Sequence, residues 1–448
     1  MDSRRKSYFI SEIVFPLILT GLILLIFLPL FTRLVQGTAR FVPYTDHPAH
    51  NVFAAQMRQE HRVSMPHPVY HFVVIGFQEL FELTGLAVSP DQTPVPGATD
   101  VLAAAGTKMQ GAALAGLNYR YSRASICTLV LFYVFTALFL QSTFRKSLAS
   151  TGVKGELVNL LLTLSLLVMG PIALLHGRDH DYYFGYISGS LWHSPTMLAA
   201  KMFALPLFLA VVGSFNKPYI LRRPLLYGMK LFCITVVGMF AKPSLVMAMV
   251  PAVILLSMWQ SVVAKELKQQ WVMLLLAFIV PAVCVVLIQA RMYESVNVGS
   301  HIRFAPFATV REMSPGTWGW KLLLSILFPA ACYLLTNTKG QCRQRLTLAW
   351  LTFAFGLCMM YLLSESKRTS HGNLIWGAQL AMYVLMVESV RAVIEWWKIN
   401  RSPDQKPVPA FGFRFAVLLL LFVMHLGYGV AYYLHLRTEP VSTELIYK

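Results

Sequence analysis

Charge is scarce in this chain of 448 residues: 13% are Asp, Glu, Lys or Arg, against about a quarter in an ordinary soluble domain. Hydrophobic residues make up 56%, and the mean hydropathy is +0.58. A soluble fold would leave much of that apolar surface facing water, and a disordered chain needs the opposite balance. Soluble enzymes, secreted modules and disordered tails are excluded together. Cysteine is also sparse. Five of the six, Cys127, Cys233, Cys284, Cys332 and Cys358, lie within or beside apolar runs and Cys342 lies in a basic loop, so none suits a disulfide framework or a CxxC metal site. No repeat of fixed period and no low-complexity tract occurs, and QTPVPGA at 92–98 is an ordinary Pro/Gly loop.

What the chain has in abundance is apolar runs of bilayer length. Eleven membrane spans are expected, at 10–35, 124–143, 156–175, 196–214, 225–241, 244–262, 271–290, 318–336, 346–363, 374–395 and 415–434. Each is near the roughly 20 residues that a hydrocarbon core requires. The first follows Arg4, Arg5 and Lys6 and is too long for a signal-peptide core, so it is read as a retained helix. The fold class is therefore an all-α integral membrane protein, with residues 1–448 as one polytopic domain.

The 38 basic and 20 acidic residues give a net charge of +18. Basic residues that bind nucleic acid gather on one soluble face, whereas these sit in clumps between apolar runs, and no nucleic-acid partner is expected. Eighteen of the 38 fall in the N-terminal tail and in the short loops around Arg145, Lys217, Lys265, Lys339 and Lys398. That side is assigned to the cytoplasm, so the N-terminus is inside and the C-terminus outside. Residues 36–123 then form a long first extracytoplasmic loop. Within it 69–88 carries His71, Gln78, Glu79 and Glu82, while Val69, Phe72, Val73, Leu80 and Leu83 keep helical spacing. An amphipathic helix lying in the interface is expected there, not a span.

This topology puts eleven of the twelve histidines on or beside the outer face, and only His425 inside a span. The sharpest local feature is Tyr44-Thr45-Asp46-His47-Pro48-Ala49-His50, just past the first span. Thr45 or Asp46 can cap a helix opening at Pro48. The same carboxylate also stands beside His47 and His50, an i, i+3 pair, ahead of His67 and His71, an i, i+4 pair.

These features resemble the GT-C glycosyltransferases, multi-helix membrane enzymes that take sugars from polyprenyl-phosphate carriers. In that class a catalytic Asp or Glu lies early in a first extracytoplasmic loop that carries interfacial helices, and Asp46 matches the position. Three further segments are similar to motifs of bacterial members found with polysaccharide-assembly genes: Gly189 to Thr196 (GSLWHSPT), Ala241-Lys242-Pro243-Ser244, and Glu365-Ser366-Lys367-Arg368 through His371-Gly372-Asn373 to Trp376. Where many members carry a second acidic residue, this chain has His47. The resemblance implies an inverting transferase of the bacterial inner membrane, acting on its outer face in cell-surface glycan assembly. Its partners would be a polyprenyl-phosphate-linked sugar donor, a glycan or lipid-linked acceptor, and membrane lipids.

Asp46 would be the base that takes the acceptor proton. His47, His50, His67, His71, Trp192, His193, Lys242, Arg303, Glu365, Lys367, Arg368, His371 and Asn373 are the substrate-binding candidates. The cations among them meet the charge of the leaving phosphate, although Lys242 has a plainer reading as a lysine snorkelling to headgroups. Trp192 and His193 could stack on a sugar ring. No cofactor is certain. A divalent metal would suit Asp179, His180 and Asp181 in the second outer loop; the histidine pairs lack the HExxH glutamate of a zinc hydrolase. The alternatives are a polysaccharide polymerase or ligase, which shares the donor and the outer site, and a flippase, which would place charge mid-membrane. A non-catalytic membrane subunit is the plainest alternative, in which Asp46 is dispensable.

Overall fold

The computed structural model describes residues 10–36, 45–63, 65–87, 111–148, 152–176, 185–215, 223–264, 268–296, 301–367, 373–401 and 411–438. The first apolar run forms α1 (Phe15–Gln36), entered through a π-helical turn at Ile10–Val14. Two short helices follow, α2 (His47–Glu60) and α3 (Val69–Leu83). The 38-residue α4 (Gly111–Leu148) is longer than any span requires. At 1.5 Å per residue it measures about 57 Å against a hydrocarbon core of about 30 Å, so its first turns stand clear as a mast. The helices α5 (Gly152–Val168), α6 (Pro195–Gly213), α7 (Pro224–Ala241) and α8 (Ser244–Ala264) come next. Then come α9 (Lys268–Leu274) and α10 (Val280–Val296), continuous through the π-helical stretch Leu275–Ile279.

The remainder holds β1 (Ile302–Phe304), α11 (Ala308–Met313), α12 (Trp318–Leu335), α13 (Gly340–Leu362), β2 (Leu363–Glu365), α14 (Trp376–Arg401) and α15 (Phe411–Thr438). The two strands pair antiparallel, with Arg303 opposite Ser364 and Ile302 opposite Glu365.

Ten helices among the described residues are long and apolar enough to cross a membrane, which makes this an all-α, multi-pass membrane protein. They coincide with ten of the eleven expected spans. The eleventh, expected at 156–175, differs: α5 has 17 residues and stops at Val168. Gly170-Pro171 is the cause, because proline has no N–H to continue the ladder and disfavours helical backbone in the residue before it. The freed groups at Gly170 are taken up by the last helix: its N–H donates to the His425 carbonyl (3.2 Å), and its carbonyl lies 2.7 Å from His425 Nδ1. Pro329 stays inside α12, and the π-helical stretch precedes Pro281, relieving the clash of its ring with the carbonyl four residues back.

The bundle is organised around α14. Of its apolar window 89% is buried, and it packs on α13, α8, α12 and α6. Within bilayers such association rests on close packing and interhelical hydrogen bonds, about 0.6–2 kcal/mol per bond. In the C-terminal half of α14, buried Glu388 accepts from Arg391 Nη1 (2.6 Å) and Arg345 Nε (3.1 Å), and Arg345 also reaches Glu395.

Successive long helices run in opposite directions. The end where α1 finishes therefore collects α2, α3, the segment 185–194, Lys242, the β1–β2 pair and the start of α14. All motif residues within the described part lie at this end.

Candidate functional site

The first loop is pinned to the bundle by polar bonds. Asn51 Nδ2 donates to Asn118 Oδ1 (2.8 Å), Asn118 Nδ2 donates to the Val35 carbonyl (3.3 Å), and the Tyr70 and Ser125 hydroxyls are 2.6 Å apart. These bonds fix α2 and α3 against the mast of α4. At 15 residues α3 is about 22 Å long, too short to span. It buries Tyr70, His71, Val74 and Gln78 and exposes Phe72, Leu80 and Leu83, so the apolar stripe expected from the sequence is the outward one.

At the head of α2, the Asp46 N–H donates to the His193 carbonyl (2.8 Å), and His47 Nε2 lies 2.8 Å from the Trp192 carbonyl. The 45–50 segment is thereby stitched to the GSLWHSPT motif. Residues 185–194, which carry the motif into α6 at Pro195, run as non-helical chain inside the protein, with Ser188, Ser190 and Trp192 buried. Ser188 and Tyr186 are both held by the Gln379 side-chain amide. Gly189 is needed there, since a Cβ would sit 2.9 Å from Tyr383 Cα. Non-helical backbone at this depth is tolerated only where protein satisfies it.

Asp46 occupies the N-cap position, but with helical backbone and no side-chain cap bond. The local bond is made by Thr45, whose Oγ1 accepts from the His47 N–H (3.3 Å). The Asp46 side chain is exposed, and capping does not account for it.

Behind it lies a buried, basic cluster. Lys242, one residue past α7, is 8% exposed. Its Nζ donates to Thr196 Oγ1 (3.0 Å) and stands 4.8 Å from the centre of the Trp376 ring. Snorkelling to headgroups does not describe this lysine. Burial pushes its pKa down to about 8, and the Asp46 carboxylate opposes that shift. His193 packs on the same indole, ring centres 5.4 Å apart. Burial, with His47 and Lys242 nearby, lowers its pKa to about 3. The His47 imidazole falls to about 4 and the His71 imidazole to about 3, both chiefly by burial. His50 and His67 are likewise held well below the ordinary value, burial first, with His71 and Lys242 adding to it. The imidazoles are thus neutral hydrogen-bonding groups around one cation.

The sequence spacing paired His47 with His50 and His67 with His71. The pair that forms runs across two helices instead: His50 Nδ1 and His71 Nε2 are 2.9 Å apart. His67 precedes α3, which begins at Val69. Gln289 in α10 ties this region to the bundle, donating from Nε2 to the carbonyls of Pro66 (2.7 Å) and Met239 (2.9 Å).

Trp192 sits inside the bundle. It is fully buried, stacked on Tyr432 (5.4 Å between centres, 22° between planes), with Nε1 donating to the Tyr133 hydroxyl (2.8 Å). No face is open to a sugar ring; Trp192 anchors the motif, and its backbone carbonyl holds His47.

The third motif forms a neighbouring brace. Buried Glu365 accepts from the Tyr293 hydroxyl (3.2 and 3.3 Å) and from Asn373 Nδ2 (3.0 Å), which also donates to Tyr293 (3.1 Å). Ser366 Oγ accepts from the His301 N–H (3.1 Å), closing the β1–β2 end. Arg303 and Lys367 are exposed at that end. Arg368 and His371 lie outside the described residues, as do Asp179, His180 and Asp181. Among the described residues no three His, Cys, Asp or Glu side chains are grouped to hold a metal ion.

Sequence reasoning missed two contributors, Gln289 and Tyr293, and carried Thr196 and Trp376 only as motif members without a role. Gln289 carried a signal, an amide at the end of an apolar run; Tyr293 is visible only through its contacts. Compared with known proteins, the chain matches no family model, no curated protein and no solved structure.

Proposed function

We propose that this chain is a GT-C-like glycosyltransferase of the bacterial inner membrane. In this reading it transfers a sugar from a polyprenyl-phosphate carrier to a glycan or lipid-linked acceptor on the extracytoplasmic face. The observation that carries the proposal is an exposed carboxylate, Asp46, set over a buried cluster whose cation is Lys242, at the end of the bundle where all three loop motifs meet.

The chemistry follows from the two charges. The acceptor O–H gives its proton to the Asp46 carboxylate as its oxygen bonds to the anomeric carbon. The bond from that carbon to the phosphate oxygen breaks on the opposite face, and its electron pair leaves with the lipid phosphate. The configuration inverts. A buried ammonium interacts with the growing phosphate charge far more strongly than one in water. With a pKa of about 8, Lys242 is still mostly protonated at neutral pH. The neutral imidazoles of His193 and His47 add polarity without competing for the anion. Lys367 and Arg303, at the β1–β2 end, supply positive charge toward the headgroup side.

The test is Asp46→Asn in the native host, scoring surface glycan and membrane level of the protein together. Asn keeps the size and the backbone bond to His193, so the protein accumulates normally and the glycan is lost. Full glycan at normal protein level refutes the assignment.

A further inference from the structure

A second polar hollow lies away from Asp46, on the outer side of the first loop. It is a cavity of about 860 Å³ between α2, α3 and the first turns of α4, within the size range of small-molecule sites. Its walls are cross-braced by charge. Arg58 grips both Glu82 oxygens (2.9 and 2.7 Å), Arg120 donates to Glu82 (3.0 Å), and Glu79 lies 3.6 Å from Arg58. Arg58 holds the Glu82 carboxyl down to about 2, so this carboxylate stays ionised throughout the physiological range.

Against the three arginines Arg58, Arg62 and Arg120 stand two carboxylates, Glu79 and Glu82. One positive charge is left over. Arg62, exposed at the rim, makes none of these ion pairs. Between the charged walls lie apolar surfaces: Phe72, half exposed, with Ile75 and Leu117.

Planar hydrogen-bonding groups fixed around apolar faces match a saccharide, whose hydroxyl edges alternate with C–H faces. Arg58 is already committed to Glu82 and Glu79, and Arg120 to Glu82. Arg62 is therefore the guanidinium that can meet vicinal oxygens or a carboxylate in a bidentate manner, and an aromatic ring covers the C–H side. The surplus arginine selects for negative charge on the sugar. Position adds to this. Arg58 is twelve residues along the chain from Asp46, and α2 connects them, a run of about 18 Å. A single sugar at Asp46 does not reach that far, whereas a glycan chain does.

We infer that this cavity is a binding site for an anionic glycan chain, holding the acceptor at a distance from the sugar that reacts. The assignment rests on the transferase reading for its role but not for its binding, and the two can fail separately.

The experiment is a titration of the purified full chain in phosphatidylcholine nanodiscs, with tetragalacturonate as probe and neutral maltotetraose and inorganic phosphate as comparators. Saturable binding of tetragalacturonate is expected, tighter than either comparator, and weakened about fivefold or more in Arg62→Glu. Phe72→Ala, also exposed, weakens both saccharides together. Equal binding of maltotetraose, full competition by equimolar inorganic phosphate, or unchanged affinity in Arg62→Glu overturns the site. Loss of tetragalacturonate binding when the discs contain phosphatidylglycerol assigns the cavity to a lipid headgroup and overturns the glycan. No transfer takes place in this titration, so its outcome is independent of Asp46.

Discussion

The buried imidazoles around Lys242 make the first loop sensitive to acid. His47, His71 and His193 have pKa values of about 4, 3 and 3, against 6.5 for an exposed imidazole. The folded values lie below the open-state value, so between them the open state binds more protons. The stability these groups contribute is complete above about pH 6.5 and is lost as the pH falls towards the folded values. At pH 5.5 each imidazole favours the open loop by about 1 kcal/mol relative to neutral pH. Together the three are worth about 3–4 kcal/mol, a factor of several hundred in the opening equilibrium. His50, held low by the same burial, acts in the same direction. Hydrogen–deuterium exchange over peptides covering 45–75, corrected for the intrinsic pH dependence of amide exchange, reads this opening directly. Protection is expected to drop steeply between pH 7 and 5.5 there, while α14 remains protected. His71→Asn removes one of these titrating groups and flattens the dependence by about a fifth to a quarter. Uniform protection across this range would refute the picture of neutral, desolvated histidines.

Other substitutions test the packing that supports the site. Gly189→Ala forces a methyl group to within 2.9 Å of the α14 backbone, costing about 1–3 kcal/mol and lowering the thermal midpoint in detergent. Trp192→Phe removes the bond to Tyr133, about 0.5–1.5 kcal/mol. It lowers the midpoint modestly and leaves donor affinity unchanged, because the indole faces the core; a large loss of affinity would restore Trp192 as a sugar platform. Glu388→Gln strips two arginines of their buried partner, which costs about 3–5 kcal/mol and reduces the folded yield, measured by size-exclusion chromatography.

Much of the fold was legible because the bilayer sets one length scale. Apolar runs near 20 residues became helices, most with boundary shifts of a few residues and one, 124–143, lengthened to Gly111–Leu148. The stretch 69–88, interrupted by His71, Gln78 and Glu82, became the short α3 instead of a span. The exception, 156–175, carried its reason in plain sight, since Gly170-Pro171 ends α5 early. At the site, residue types were readable but partners were not. Local spacing offered His47 with His50 and His67 with His71, whereas the contact that forms joins His50 to His71 across helices that only the fold brings together. Lys242 looked equally like a headgroup contact, because whether a lysine at a helix end turns outward depends on Thr196 and Trp376 from two other helices. The surroundings of Trp192 were hidden for the same reason: an indole in a loop reads as exposed until Tyr133 and Tyr432 are seen to enclose it.

The central claim is that Asp46 performs the proton transfer in glycosyl transfer from a lipid carrier. The most direct measurement uses the purified chain in nanodiscs with a panel of polyprenyl-phosphate-linked sugars and an acceptor glycan extract, following the release of free polyprenyl phosphate. Release is expected from the native chain with at least one donor, and loss of release in Asp46→Asn with donor binding retained. Undiminished release in Asp46→Asn, or no release from the native chain with any donor, would contradict it.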